Sequence, residues 1–239
     1  MGEPAKVYDE TAVIYDLRTK NPCTDLVRLR ELRLIERYGG GRTLDAGCGT
    51  GFHIRALRDA VGVDISGEMV RLARKSSKLV KKANIERLPF SRNAFDTVLC
   101  LYSVLNVCDW KKAISELCRV TKPEGRIIIS VSSLYDKGYR SLEEKKAVKP
   151  DRYTQTKRFH IKGKRLWLRL FTRDELEEEF SRNGFSLEEF TSVFRGVRPN
   201  WNLWKRFSLK ERISLFLDRF RPAEYGAMYL MVFKNKKQE

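Results

Sequence analysis

Asp45 and three glycines, Gly47, Gly49 and Gly51, are crowded into the run LDAGCGTGFH (44–53), and a second carboxylate, Asp64, closes the apolar run VGVD (61–64). A main chain without side chains can turn sharply and let a ligand come close. The first N–H groups of a helix that follows such a turn favour an anionic part of that ligand. A carboxylate at the end of the next strand can accept both hydroxyls of a ribose. The spacing is G-x-G-x-G preceded by an acid, whereas nicotinamide dehydrogenases use G-x-G-x-x-G, whose third glycine admits close helix–strand packing. An acidic group at position 45 would also sit poorly beside a pyrophosphate, so a dinucleotide is disfavoured.

The elements that must hold these residues alternate along the chain. Short apolar, β-branched runs at 43–46, 61–64, 83–87, 94–101 and 126–132 predict buried strands. Between them, 52–59, 67–78 and 110–120 predict helices, the last ended by the turn Lys122-Pro123-Glu124-Gly125. Further on, Thr172 and Glu175 form a capping-box pair opening a helix over 172–183, followed by strands at 185–194 and 227–234. Alternation of this kind predicts an α/β fold: a Rossmann-like, doubly wound, mostly parallel seven-stranded sheet with helices on both faces and a basic insertion after strand five. One domain spans 1–239. It divides into N-terminal cap helices (1–40), a ligand-binding core (41–135), the basic insertion (136–170) and a C-terminal part of the sheet with substrate-side elements (171–239).

Composition narrows the function classes. At 239 residues and 42% apolar content the chain can fill a sizeable core. No run approaches the ~20 apolar residues of a membrane span, and MGEPAKVYDE carries no secretory h-region, so a cytoplasmic protein without a membrane partner is expected. The five cysteines contain no C-x-x-C pair and there are only two histidines, which suggests neither a disulfide framework nor a metal site. The cysteines read as reduced, structural thiols.

Taken in order, LDAGCGTGFH, VGVDIS, ANIERLPFSRNAFDTVLCLYSVLNV and VTKPEGRIIIS resemble the class I S-adenosylmethionine-dependent methyltransferases, especially the group related to the ubiquinone-biosynthesis enzymes. The likeness covers about residues 40–132 and continues more loosely to the end. It implies S-adenosylmethionine as cofactor. Asp45 and the backbone at Gly47, Gly49 and Gly51 would hold its methionine end, and Asp64 its ribose. Ile65 and Met69 would flank the adenine, with Asn84 and Ile85 at the adenine edge, and Leu101 and Tyr102 would face the reacting end. Asn84 replaces the family's usual aspartate, and its amide oxygen can still accept from the exocyclic amine. The segment 52–60 is short, predicting a first helix one or two turns shorter than usual. Where the family often has a histidine pair, SVLNVCDW offers Asn106, so the catalytic residues stay unknown. Tyr102, Asp109 and His160 are the candidates if the acceptor needs deprotonation, although positioning alone supplies much of the rate.

Charge points to an acceptor. Of the net charge of +17, the segment 137–170 holds 12 Lys and Arg against three acids, interleaved with Tyr153, Phe159, His160 and Trp167. Cations neutralise phosphates and rings stack on unpaired bases, so Lys157, Arg158, Lys162, Lys164 and Arg165, with Trp201 and Trp204 downstream, form a candidate RNA-facing surface. The opening segment VYDETAVIYDLRTKNP resembles that of transfer-RNA wobble-uridine carboxymethyl methyltransferases. Methyl transfer to RNA, with tRNA favoured, is the expected activity. Two alternatives stay open: a small-molecule methyltransferase with an incidental basic surface, and a catalytically silent RNA-binding relative, alone or with a protein partner. Oligomeric state is not fixed by the sequence.

Overall fold

The computed structural model describes residues 4–77, 79–136, 156–161, 164–195, 199 and 206–236. Its centre is a seven-stranded sheet in the order β3-β2-β1-β4-β5-β9-β8. β1 (Thr43–Ala46), β2 (Ala60–Asp64), β3 (Val80–Lys82), β4 (Phe95–Cys100) and β5 (Thr121–Ser132) run parallel. β9 (Met228–Asn235) is antiparallel to both β5 and β8 (Phe185–Val193). The chain leaves β1 for β2 on one side and returns to β4 on the other. This switch of direction opens a crevice beyond the carboxyl ends of β1, β2 and β4, where such sheets bind ligands.

Alternation along β4 and β5 divides the core between the two faces. Val98, Cys100, Ile127 and Ile129 pack with Ala113, Ile114 and Leu117 of α4 (Trp110–Val120) and with Leu176 and Phe180 of α5 (Arg173–Arg182). Leu99, Leu101 and Ile128 point the other way, onto Val27, Leu34 and Ile35 of α2 (Pro22–Tyr38). The helix starts follow local chemistry. Asn21 caps α2 by accepting from Thr24 N with Pro22 in the first turn, and Thr172 and Glu175 close the capping box of α5.

Several boundaries differ from the sequence expectation. The third strand is Val80–Lys82, not 83–87. It is short because only Val80 of its three side chains is buried, and Ala83–Arg87 forms turns beyond the strand end. The helix expected at 52–59 contracts to one 3₁₀ turn, Ile54–Ala56, because too few residues separate β1 from β2 for a full crossover helix. α3 (Gly67–Ala73) stops well before residue 78. Lys122–Gly125 lies within β5 as an irregularity: pairing with β4 jumps from Thr121 to Arg126, and Glu124 is left-handed at φ 60°. In the basic insertion, β6 (Thr156–Ile161) and β7 (Lys164–Arg169) make a separate antiparallel hairpin. Residues 137–155, 162 and 163 lie outside the described residues.

Candidate functional site

The glycine turn is held by hydrogen bonds in which Gly47 N and Cys48 N both donate to Val63 O, at 2.8 and 2.9 Å. Two of its glycines are needed for different reasons. At Gly47 (φ +84°) a Cβ would lie 2.5 Å from a Val104 methyl. At Gly49 (φ +53°) nothing stands within 4 Å, so the left-handed backbone borders open space that a ligand can fill. Asp64 ties this turn to the next helix, its carboxylate accepting from Gly49 N and Ser66 N at 2.9 Å each. Burial pushes its carboxyl above the ordinary range, against the pull of those two N–H groups.

A cleft of about 920 Å³, open mouth included, lies over the turn. Gly47, Gly49, Asp64, Ile65, Met69, Asn84, Ile85, Leu101 and Tyr102 all line it, so nine of the eleven expected ligand-binding residues are brought together. Asp45 and Gly51 are not on its wall. Gly51 packs beneath, where a Cβ would meet Ile54 and Ala73 at 3.2 and 3.3 Å. Asp45 lies in β1, 1% exposed, and its Oδ2 has no hydrogen-bond partner among the described residues. Burial raises its pKa to about 6, with the nearby Asp64 and Glu31 charges adding to the rise and His53 opposing it.

Sequence reasoning placed cap helices over 1–40 but missed the residues that fasten the roof and the deep wall. α1 (Pro4–Arg18) lies across α3 and is clasped at two points: Asp9 accepts from Ser66 Oγ at 2.5 Å and Glu68 N at 3.1 Å, and Thr50 Oγ1 donates to Asp16 at 2.7 Å. Asp9 and Asp16 stand two turns apart on one face of α1, a spacing that could have flagged them. Tyr8 and Tyr15 line the cleft from α1, and Arg28 reaches it from α2 with its guanidinium 4.2 Å above the Phe52 ring.

The deep wall is a buried polar network. Glu31 of α2, fully enclosed, meets His53 Nε2 at 2.9 Å and accepts from Ser130 Oγ and, at 3.2 Å, from Tyr102 N. Burial pulls the His53 pKa down, but the Glu31 carboxylate more than offsets this and holds it above the ordinary value. Glu31 falls at helical spacing from Val27, Leu34 and Ile35; a charge on an otherwise apolar face was the readable signal. Tyr102 and Ser103 are left-handed (φ 57° and 68°) at the end of β4, a conformation bulky residues adopt only when their surroundings impose it.

Of the acid–base candidates, Tyr102 and Asp109 are engaged elsewhere. Burial drives the Tyr102 phenol well above its ordinary pKa, and its hydroxyl shares a 2.6 Å hydrogen bond with Thr24 Oγ1. Asp109 caps α4 and pairs with Lys112 at 2.9 Å, away from the cleft wall. His160 lies in β6, whose side chains fall outside the described residues, as do those of Lys157, Arg158, Lys164 and Arg165; Lys162, Trp201 and Trp204 are outside altogether. Asn106 is structural: its amide donates to Ser132 O and Arg169 O and its oxygen accepts from Ser132 N. Cys48 and Cys108 line the cleft, but burial pushes both thiols up, Cys108 to about 12, so neither is a ready nucleophile. Among the described residues no group of three or more His, Cys, Asp or Glu could hold a metal.

Known proteins share this fold. The family model for a methyltransferase domain matches residues 44–129. An uncharacterized protein of Methanocaldococcus jannaschii is 35% identical over 190 residues, covering 75% of each chain. A ubiquinone/menaquinone biosynthesis C-methyltransferase of Hahella chejuensis is 31% identical over 145 residues, covering 52% of this chain and 57% of its own length. The crystal structure of an S-adenosylmethionine-dependent methyltransferase of Thermotoga maritima, a possible histamine N-methyltransferase, superposes with a TM-score of 0.64 at 22% identity, covering 98% of this chain and 99% of the other. This chain therefore belongs to the class I S-adenosylmethionine-dependent methyltransferases and is an enzyme that takes S-adenosylmethionine as its cofactor.

Proposed function

We propose that this methyltransferase acts on a small acceptor admitted to the covered end of the cleft. The observation that carries the reading is the roof: α1 is fastened across the cleft through Asp9 and Asp16, and Tyr15, Arg28, Phe52 and Tyr102 are among the side chains that line the space beneath it. Such a covered cleft suits a compact acceptor. The Hahella relative, named for ubiquinone/menaquinone biosynthesis, supports the same class.

The residues present fit the cofactor. The open space above Gly49 leaves room for a ligand against the main chain, and Asp64, already fixed by two N–H groups, keeps lone pairs for ribose hydroxyls. Ile65 and Met69 offer apolar surface to the adenine, with Ile85 alongside. Asn84 accepts from Glu86 N through its Oδ1 at 2.9 Å, which fixes its amide group on the cleft wall, where it would meet the adenine edge. The bound sulfonium supplies an electrophilic methyl group. Arg28 and the flanking rings would align the acceptor, Leu101 and the buried network would fix Tyr102 as its backstop, and α1 would exclude water. Alignment of this kind is worth ~7–11 kcal/mol. Among the described residues Tyr102, Cys48 and Cys108 are too reluctant to ionise to serve as bases and His53 is engaged by Glu31, which favours an acceptor atom that has a lone pair free or that ionises readily.

A second reading, methylation of RNA, is favoured by the basic segment 137–170. Labelled cofactor with fractionated metabolites, proteins and RNA separates the two. Label in a metabolite, retained when Lys157, Arg158, Lys162, Lys164 and Arg165 are neutralised, supports the small acceptor. Label in RNA, lost in that variant and with binding that falls steeply with salt, rejects it.

A further inference from the structure

Single exposed apolar residues such as Val13, Leu29 and Leu79 are ordinary on a protein surface. The C-terminal helix is different. α6 (Leu209–Leu217), continued by a 3₁₀ turn at Asp218–Phe220, exposes Leu209 at 73%, Ile213 at 52%, Phe216 at 58%, Leu217 at 40% and Phe220 at 70%. Steps of four, three, one and three place all five on one stripe. α6 buries none of its residues.

The stripe points away from the side that anchors the helix. That inner side is satisfied: Leu215 packs against the cluster containing Val193, Phe194 and Met228, and Asp218 accepts from Arg195 N at 2.9 Å and pairs with Arg221 at the same distance. Glu211, the acid of α6 itself, is engaged at the N-terminus, accepting from Ser208 N and Oγ. Cations border the stripe. Lys210 lies along one margin and Arg212 and Arg219 along the other, all exposed, and the Arg219 guanidinium stacks 3.9 Å from the Phe216 ring and 4.6 Å from Phe220.

We infer that α6 is a membrane-surface helix that lays this stripe into an anionic lipid interface. Two arguments select that occupant. Twelve residues of helix are ~18 Å long, and a stripe one side chain wide along them covers a few hundred Å², well short of the ~800 Å² per partner in a stable dimer. A lipid interface needs no shape-matched partner. It takes apolar side chains ~5–10 Å deep while flanking lysines and arginines meet anionic headgroups. Among the described residues no helix is long and apolar enough to cross a membrane; an interfacial helix does not cross one. The sequence expectation of no membrane partner rested on the want of a spanning segment, which an interfacial helix does not need.

The test uses the full chain and sedimentation with phosphatidylglycerol/phosphatidylcholine vesicles against pure phosphatidylcholine vesicles. The wild type binds the anionic vesicles. Phe216→Ser/Phe220→Ser weakens this at least tenfold with cofactor binding unchanged, and neutralising Lys210, Arg212 and Arg219 weakens it about fivefold per cation. If the serine variant does not fold, Phe216→Trp serves instead: brominated anionic lipid must quench emission beyond that of the wild type. No binding of the wild type to anionic vesicles overturns the inference. So does binding that survives Phe216→Ser/Phe220→Ser, which assigns it to another basic surface, and so does a dimer abolished by that variant in the absence of vesicle binding.

Discussion

Asp45→Asn should make the protein without cofactor more stable at neutral pH. The carboxyl is 1% exposed with Oδ2 unpartnered among the described residues, and burial lifts its pKa from 3.8 to about 6. A shift of about two units at ~1.36 kcal/mol each means that keeping Asp45 ionised in the folded state costs about 3 kcal/mol. Because the folded pKa is the higher one, the contribution of this carboxyl is fully present below about pH 3.8 and lost as pH rises through about 6. Asparagine removes the charge but leaves an amide N–H in the same dry site, at a cost of ~1–2 kcal/mol. The net gain is thus about 1–2 kcal/mol. Urea unfolding of both proteins at pH 4.5 and pH 8 reads it directly. A gain that is the same at both pH values, or absent at pH 8, refutes the argument that an uncompensated charge sits in β1.

Glu31→Leu removes the partner of His53 and of Ser130, so an unfolding free energy lowered by about 3–5 kcal/mol is expected from denaturant titration. The folded pKa of His53 is raised, so its contribution to stability is present below its ordinary value of 6.5 and lost as pH rises through the folded one; His53→Asn should flatten that part of the wild-type stability profile. Gly47→Ala adds a 2.5 Å contact with Val104 to left-handed strain, whereas Gly49→Ala adds strain alone, ~1–2 kcal/mol. Thermal melts should therefore rank the first as more damaging, while calorimetry should find cofactor binding weakened in both. Asp9→Ala and Asp16→Ala each remove one clasp worth ~1 kcal/mol, and stopped-flow should show ligand leaving about fivefold faster with overall stability little changed.

The parts of the fold that were legible are those where one local rule decides. Buried strands such as β4 and β5 announce themselves by the apolar runs Val98–Leu101 and Ile127–Ile129, and Thr172 with Glu175 marks the start of α5. The floor of the cleft was legible because glycines and Asp64 follow from backbone geometry at one turn. β3 was misplaced because an edge strand with a single buried side chain has almost no hydrophobic pattern to read. The fastenings of the roof and the buried network escaped for another reason: Asp9, Asp16 and Glu31 gain their meaning from partners far along the chain, at Ser66, Thr50 and His53. Glu31 and the exposed Glu36 lie in the same helix, and only the apolar spacing around Glu31 separates them.

The contraction of the first crossover to Ile54–Ala56 hands the covering of the cleft to α1, a segment outside the central sheet. Ligand and α1 then act as effectors of one another. By thermodynamic reciprocity, whatever factor α1 docking contributes to ligand affinity, ligand occupancy returns to α1 docking. Amide exchange along α1 thus becomes a gauge of cleft occupancy, slowing as the ligand concentration rises while the protons of β4 and β5 stay indifferent.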